Sequence, residues 1–267
     1  MDYFAGIADR IGGAQINYHF NFSLQHRYLY VQTSKCACTY LKASLTKYEL
    51  QDRQFFDDSY RHTKHAKVVA DALHSGPHQA VNRSVFVKPY QLGPEGVNQI
   101  LNDESYFKFA VVRNPYSRIL SAFLDTFTNR RPPLLNVLVE LAELQSCAPR
   151  EIVIAEVTFE QFLAALTLRV ERLGWGAIDQ HYRLQSYHIS DDIVAYDQLF
   201  RVEALDRLEQ ELVSRFGRGL PTAQRGSHTT GAQDKKVDYY RQGSAREQVA
   251  QLYAVDLQRF GYQFGLD

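Results

Sequence analysis

A lysine in a tight turn between a strand pattern and a helix pattern is the first feature with chemical potential. The β-prone run at 28–31 ends abruptly, and residues 33–39, the first loop, lead into a helix pattern. A helix start presents unpaired backbone N–H groups and a partial positive charge, so it can bind a phosphate. The Lys35 ammonium adds a full charge, and Ser34 and Thr39 add hydroxyl donors. The first loop is therefore a candidate anion site.

A second connection of the same build follows the strand pattern at 106–112. Arg113 stands where this strand ends, and Pro115 suits the first turn of a new helix, where its missing N–H costs nothing. Arginine offers a bidentate fork to a phosphate, and Ser121, two helical turns along, can add a hydroxyl. Residues 113–115 are the second loop. Two such loops on one sheet predict a ligand with two separate phosphate groups.

Periodic apolar residues indicate the elements that must position these loops. Leu41, Leu45 and Tyr48 form one face of a helix after the first loop, and an apolar stripe over 119–127 follows the second. Further patterns predict short strands at 193–196 and 199–202 and helices over 134–175, 204–216 and 239–260. Strands alternating with helices predict a three-layer α/β fold with a mainly parallel sheet, whose ligands bind at the carboxyl ends of the strands.

Length and composition are those of a globular enzyme-sized chain. The 267 residues are 45% hydrophobic, which favours a single domain over 1–267 with a lead-in at 1–27 and a loop at 217–236. That loop is predicted to be mobile, as a cover for a phosphate or as a solvated linker. Acidic and basic residues balance at 30 each, so we expect no nucleic-acid partner.

The three cysteines do not form a disulfide framework, and a reducing compartment fits better. Cys36 and Cys38 would supply two metal ligands, but histidines do not follow at finger spacing, so we expect packing around the loop and no metal. The sequence shows no signal peptide and no apolar run long enough to span a membrane. We therefore expect a cytoplasmic location, with peripheral membrane contact left open.

The ATP-type phosphate loop, with its two glycines and lysine, is missing. No glycine occurs from Ala14 through Ser75, which disfavours an ordinary ATP or GTP hydrolase. A nucleotide-dependent phosphotransferase and a non-catalytic nucleotide-binding module stay open as alternatives.

At this point the motifs resemble a known family. TSKCACTYLK resembles the 5′-phosphosulfate loop of sulfotransferases, and FAVVRNPYSRILSAFLDTF resembles their 3′-phosphate motif. DQHYRLQSYH, YDQLFRVEALDRLEQEL and the segment from His228 to Tyr262 are similar to later motifs of the carbohydrate sulfotransferases. That group includes the chondroitin and dermatan 4-O-sulfotransferases and the HNK-1 sulfotransferase. The resemblance implies a P-loop-nucleotide-hydrolase-like sulfotransferase fold.

The same resemblance implies a donor and a set of residue roles. The donor is 3′-phosphoadenosine 5′-phosphosulfate (PAPS), and no metal is implied. Lys35 would bind the phosphosulfate and stabilise charge on the bridging oxygen, with donors from Ala37, Cys38 and Thr39. The 3′-phosphate would be bound by Arg113 and Ser121, while Arg118 is left open between a ligand and a solvated side chain. The implied reaction is in-line transfer of a sulfuryl group to an acceptor hydroxyl, on a carbohydrate or another small molecule.

The acceptor hydroxyl must lose a proton, and histidine is the usual agent near neutral pH. His74, between the two phosphate motifs, is the first candidate, and His181 in the better-matched motif is the second. Glu203 matches a family glutamate, for which we expect a structural bond. The animal members carry a membrane anchor and paired cysteines; neither is seen in the printed sequence, so we expect a cytoplasmic enzyme.

Overall fold

The computed structural model describes residues 2–50, 84–128, 137–217, 219–220, 232–241 and 243–265. Its contacts divide the chain into two compact units. The first comprises Met1–Val111 and Ile189–Ser227, and the second comprises Val112–His188 and His228–Asp267.

The first unit contains a four-stranded, mostly parallel sheet with strand order β1-β2-β3-β4. Strand β1 is antiparallel to β2, and β2 is parallel to β3, so the carboxyl ends of β2 and β3 lie at the same sheet edge. The strands are β1 (Phe20–Ser23), β2 (Tyr28–Val31), β3 (Phe107–Val112) and β4 (Gln198–Arg201). The α/β class and the strands at the two loops are thus confirmed.

The first unit carries five helices among its described residues. They are α1 (Tyr3–Ile11), α2 (Gly13–His19), α3 (Cys38–Leu50), α4 (Pro89–Asn102) and α9 (Leu205–Phe216), the last preceded by a 3₁₀ turn at Val202–Ala204. Every residue of β1, β2 and β3 is buried, which is typical of strands covered on both faces. The predicted face of α3, Leu41, Leu45 and Tyr48, packs on aromatic residues of β2 and β3.

The second unit is helical in its described part. Its helices are α5 (Pro115–Phe123), α6 (Leu138–Leu144), α7 (Phe159–Leu173), α8 (Gln185–Ile189), α10 (Ala232–Tyr240), α11 (Ala245–Leu252) and α12 (Ala254–Phe260), with a π-helical turn at Leu124–Thr128 and 3₁₀ turns at Pro149–Glu151, Ile154–Glu156 and Trp175–Ala177. The predicted apolar stripe of α5 is buried in its core, where Phe123 stacks on Phe127.

Several predicted boundaries were wrong for local reasons. The lead-in at 1–27 holds α1, α2 and β1. The helix α4 has a kink at Gly93, just before Pro94, because Gly93 takes a φ of 68°. The segment 193–196 is a turn, in which the Ile193 and Val194 amides both donate to the Ser190 carbonyl.

The C-terminal predictions also needed correction. The single helix over 239–260 is broken by Gly243, whose φ is 80°. The helix α10 begins at Ala232, so the end of the predicted loop at 217–236 is helical. Most of the rest of that loop lies outside the described residues. In 134–175, α6 and α7 are separated by two 3₁₀ turns.

Candidate anion site

The first loop holds an unusual backbone without glycine. Lys35 has a φ of 65° and Ala37 a φ of 56°, both in the left-handed region. A left-handed residue other than glycine costs about 1–2 kcal/mol, so this turn stores strain. Alternation of this kind aims successive N–H groups to one side, a concavity that suits anions. The two left-handed residues are a feature of the first loop that the sequence pattern alone did not show.

Positive charge and N–H donors converge on the Cys38 sulfur at the start of α3. Burial raises the pKa of the Cys38 thiol, whereas the ammonium groups of Lys35 and Lys42 and the backbone N–H groups of Lys35 and Thr39 all lower it. These four groups therefore favour negative charge at the same point. The predicted residues Lys35, Cys38 and Thr39 are thus brought together, and Ala37 lies between them in the chain.

The two cysteines of the loop have different surroundings. The Cys36 side chain is buried and its sulfur lies 3.6 Å from the Ser34 carbonyl, whereas Cys38 is half-buried. In the described part of the chain, no group of three or more histidine, cysteine or acidic side chains could hold a metal ion.

Lys42 is a buried lysine near the first loop that the sequence patterns did not single out. It lies one turn after Cys38 in α3, it is only 7% exposed, and its ammonium lies 5.0 Å from the centre of the Tyr18 ring. Burial lowers its pKa to about 8. Its i+4 spacing from Cys38 was the signal that could have found it.

The second loop is ordered by its own sequence. The Asn114 side chain caps α5 by accepting from the Tyr116 amide at 3.1 Å, and Pro115 occupies the first turn as predicted. The Asn114 amide group also donates to the carbonyl of Gln263 at 3.1 Å. Arg113 is half-buried at the end of β3. This connection needs no left-handed residue.

Gln185 holds the Arg113 backbone from both sides. Its side chain accepts from the Arg113 amide at 2.8 Å and donates to the Arg113 carbonyl at 2.9 Å. The buried Asp256 carboxylate accepts in turn from the amides of Gln185 and Ser186 at 2.7 and 3.0 Å. Gln185 and Asp256 both fall in segments that resemble family motifs. The sequence alone could not predict that residues so far apart in the chain are hydrogen-bonded.

The two further candidates on α5 are both buried. Ser121 is 4% exposed on α5. Arg118 is not solvated: its guanidinium donates to the carbonyls of Arg183 and Gln180 at 2.8 and 3.0 Å. These bonds tie α5 to the segment before α8, which is a structural role.

Of the two predicted bases, His181 lies in the described part. Its Nδ1 lies 2.7 Å from a carboxylate oxygen of Asp179, and its backbone amide donates to the same oxygen at 2.8 Å. Burial raises the pKa of Asp179, but the bonds and charge of His181 outweigh it and leave that pKa below its ordinary value. His74 lies outside the described residues. Glu203 is exposed in the 3₁₀ turn before α9.

Fold and loop together define an α/β protein with a strand–loop–helix connection that has two left-handed residues and nearby lysines. The model of the sulfotransferase family matches residues 18–263, and the chain belongs to that family. No curated protein and no solved structure matches it. Family membership supports sulfotransfer as the activity. Among the described helices, none has the length and apolar character needed to cross a membrane.

Proposed function

We propose that this sulfotransferase moves the sulfuryl group of PAPS to a hydroxyl of a carbohydrate or glycoconjugate. The observation that carries the proposal is the first loop, where two cations and two backbone N–H groups converge at the start of a 13-residue helix. Such a site suits a multiply charged anion. The family generally uses PAPS as donor, and sulfotransfer implies a small-molecule acceptor.

The donor's two anionic groups are assigned to different loops. Lys35, Ala37, Cys38 and Thr39 bind the 5′-phosphosulfate, and Lys35 stabilises the charge that develops on the bridging oxygen. Arg113 and Ser121, which were identified through the resemblance, bind the 3′-phosphate. The Gln185 bonds to the Arg113 backbone support this role, because they fix the point from which the guanidinium extends.

The reaction is a direct displacement at sulfur. The acceptor oxygen bonds to sulfur while the bond from sulfur to the bridging oxygen breaks, leaving adenosine 3′,5′-bisphosphate. Positioning and charge stabilisation supply most of the acceleration, so no step requires a metal. Removal of divalent cations with EDTA should leave the rate unchanged, whereas the alternative phosphotransferase would lose activity.

The acceptor proton passes to a histidine, and we keep both candidates. Asp179 beside Nδ1 favours the tautomer in which the Nε2 atom of His181 is free to accept a proton. His74 remains the candidate between the phosphate motifs. To separate the two candidates, each histidine is replaced by glutamine and kcat is measured against pH. The variant in which kcat no longer falls at low pH identifies the base, and a wild-type profile in both variants excludes both histidines.

The first experiment is calorimetric titration with adenosine 3′,5′-bisphosphate, with ATP as the control. Binding of the bisphosphate in preference to ATP, weakened in Arg113→Ala, supports the two-phosphate site. Equal or preferential binding of ATP contradicts the PAPS proposal. Transfer from PAPS to oligosaccharides, phenols and tyrosine peptides then tests the acceptor class, and transfer only to phenols or peptides would exclude a carbohydrate acceptor.

A further inference from the structure

Lys42 occupies a position where a lysine is costly. It is 7% exposed within α3. Side chains on a helix lean toward its N-terminus, so the Lys42 side chain is directed toward the first turn of α3, and its charge lowers the pKa of the Cys38 thiol. The N-terminus of a helix carries partial positive charge, so the helix dipole opposes a cation there.

The groups around Lys42 do not neutralise it. Tyr18 from α2 presents its ring face, Cys38 lies on α3 itself, and Lys88 at the start of α4 is a buried amine that adds no negative charge. Within the described ranges, no carboxylate and no hydrogen-bond acceptor is found at the Lys42 ammonium. An uncompensated buried charge of this kind is destabilising unless an anion arrives.

A second unpartnered group lies close by along the chain. The Thr33 hydroxyl, at the start of the first loop, is fully buried and has no hydrogen-bond partner among the residues that the structure describes. Buried hydroxyls are nearly always bonded, so this one is open to an acceptor from outside the described residues. A phosphate or sulfonate oxygen is such an acceptor.

Lys88 differs from Lys42 in having acceptors of its own. Its ammonium nitrogen donates to the Asn21 side-chain oxygen and, at 3.4 Å, to the Phe20 carbonyl. Burial lowers the pKa of Lys88 to about 6, and the positive charge of Lys42 contributes to the shift. Lys88 is thus hydrogen-bonded to residues of β1, and Lys42 is the lysine of this pair that is available to a ligand.

We propose that Lys42 is a second cation for the 5′ anionic group of the donor, and that it takes up a proton when that group binds. The inference rests on the proposed function, because it assigns a further residue to the same site. Lys35 approaches the anion from the loop and Lys42 from the helix. In this proposal Lys42 binds the anion, whereas Lys35 stabilises the charge that develops on the bridging oxygen.

Proton uptake on ligand binding distinguishes the proposed role from a structural one, because a purely structural lysine would not change its protonation when the ligand binds. Binding of adenosine 3′,5′-bisphosphate is measured by calorimetry at about pH 8.5 in two buffers of different ionisation enthalpy, where Lys42 is partly neutral. Burial raises the pKa of both Cys38 and Tyr18 above their ordinary values and lowers the pKa of Lys88 to about 6, so burial favours the neutral form of all three neighbours. We expect net proton uptake by the wild-type protein, and no uptake would contradict the proposal.

Lys42→Met supplies the second test, with Lys47→Met as its matched control. Lys47 is an exposed lysine in the last turn of the same helix. We expect Lys42→Met to bind the bisphosphate about tenfold or more weakly and to lose the proton uptake, while Lys47→Met behaves as wild type. Unchanged affinity and uptake in a folded Lys42→Met protein would overturn the inference.

The two levels of proposal fail in different ways. If the wild-type protein does not bind the bisphosphate, the PAPS proposal falls and the inference falls with it. If the wild type binds the bisphosphate and Arg113→Ala weakens it, but Lys42→Met binds normally, only the role of Lys42 is wrong. The proton-uptake measurement on wild type needs no variant, so a folding defect cannot obscure the result.

Discussion

The first and second loops both connect a buried strand to a helix, but their backbones do so in different ways. Each takes the chain from a buried strand into a helix that begins within a few residues. The first uses two left-handed residues that are not glycine, and Ala37 before α3 has no side-chain acceptor to cap the helix. The second uses the Asn114 cap and Pro115, both favourable at a helix start.

This difference separates a loop shaped by function from one shaped by local stability. Strain and uncompensated positive charge persist in folded proteins mainly where function needs them. The first loop is strained at Lys35 and Ala37, and the buried Lys42 lies just after it in α3, so this segment is expected to gain stability when an anion binds. The second is satisfied within the chain, and its task is to hold Arg113 at a fixed place through Gln185.

The largest expected effect is the loss of transfer in Lys35→Ala. Removal of the group that stabilises charge on the bridging oxygen should lower kcat about 100-fold or more. The measurement is sulfuryl transfer from PAPS, with Lys47→Ala as the control for loss of a lysine near α3. A kcat within a few-fold of wild type would show that the charge of the first loop does not act on the transition state.

The next effect is the gain in stability of the free protein in Lys42→Met. Because the pKa of Lys42 is about 8 when folded and about 10.4 when unfolded, its charge costs the folded state up to about 3 kcal/mol below pH 8. Between those values the unfolded chain binds more protons, so wild-type stability rises with pH relative to the variant.

Urea denaturation between about pH 7 and 10 checks this prediction. The advantage of Lys42→Met should be greatest near pH 7 and fade toward pH 10, with Lys47→Met showing no such trend. A variant less stable than wild type at pH 7 would mean that the Tyr18 contact outweighs the cost of burying the charge. The first loop would then resemble the second in being satisfied within the chain.

A smaller effect is expected in the second loop from Gln185→Leu. The change removes two hydrogen bonds to the Arg113 backbone and should cost about 1–3 kcal/mol of stability, because it leaves both groups unsatisfied. Bisphosphate affinity should fall with it, since Arg113 loses its support. The exposed Gln251, replaced by leucine, is the control. Normal affinity would show that the Gln185 bonds do not position Arg113 for a ligand.

The sequence predicted the parts of this comparison that depend on short-range patterns. The strands β2 and β3, the helix starts after the two loops and the buried face of α3 follow from apolar periodicity and from Pro115, and the structure confirms them. Left-handed conformations at Lys35 and Ala37 were beyond the sequence, since neither residue type favours them. The burial of Lys42 and the Gln185–Asp256 network depend on packing between distant segments, which no local pattern encodes.

The smallest effect bears most directly on the strain in the first loop. Ala37→Gly should relieve the left-handed strain, about 1–2 kcal/mol, although glycine loses more entropy on folding and a methyl contact disappears. We expect a net change near zero or a slight gain. Asn114→Ala in the second loop should instead lose about 1–2 kcal/mol, because the cap is removed.

The control for Ala37→Gly is Ala164→Gly in the middle of α7, where glycine should cost about 1 kcal/mol. Urea denaturation of the three variants orders them. If Ala37→Gly loses as much stability as Ala164→Gly, the first loop stores no strain, and the contrast with the second loop reduces to charge alone. If Ala37→Gly loses less stability than Ala164→Gly, alanine at this position costs the folded protein a small amount of stability. Ala37→Gly should then bind the bisphosphate less tightly, because a more flexible loop must be ordered on binding.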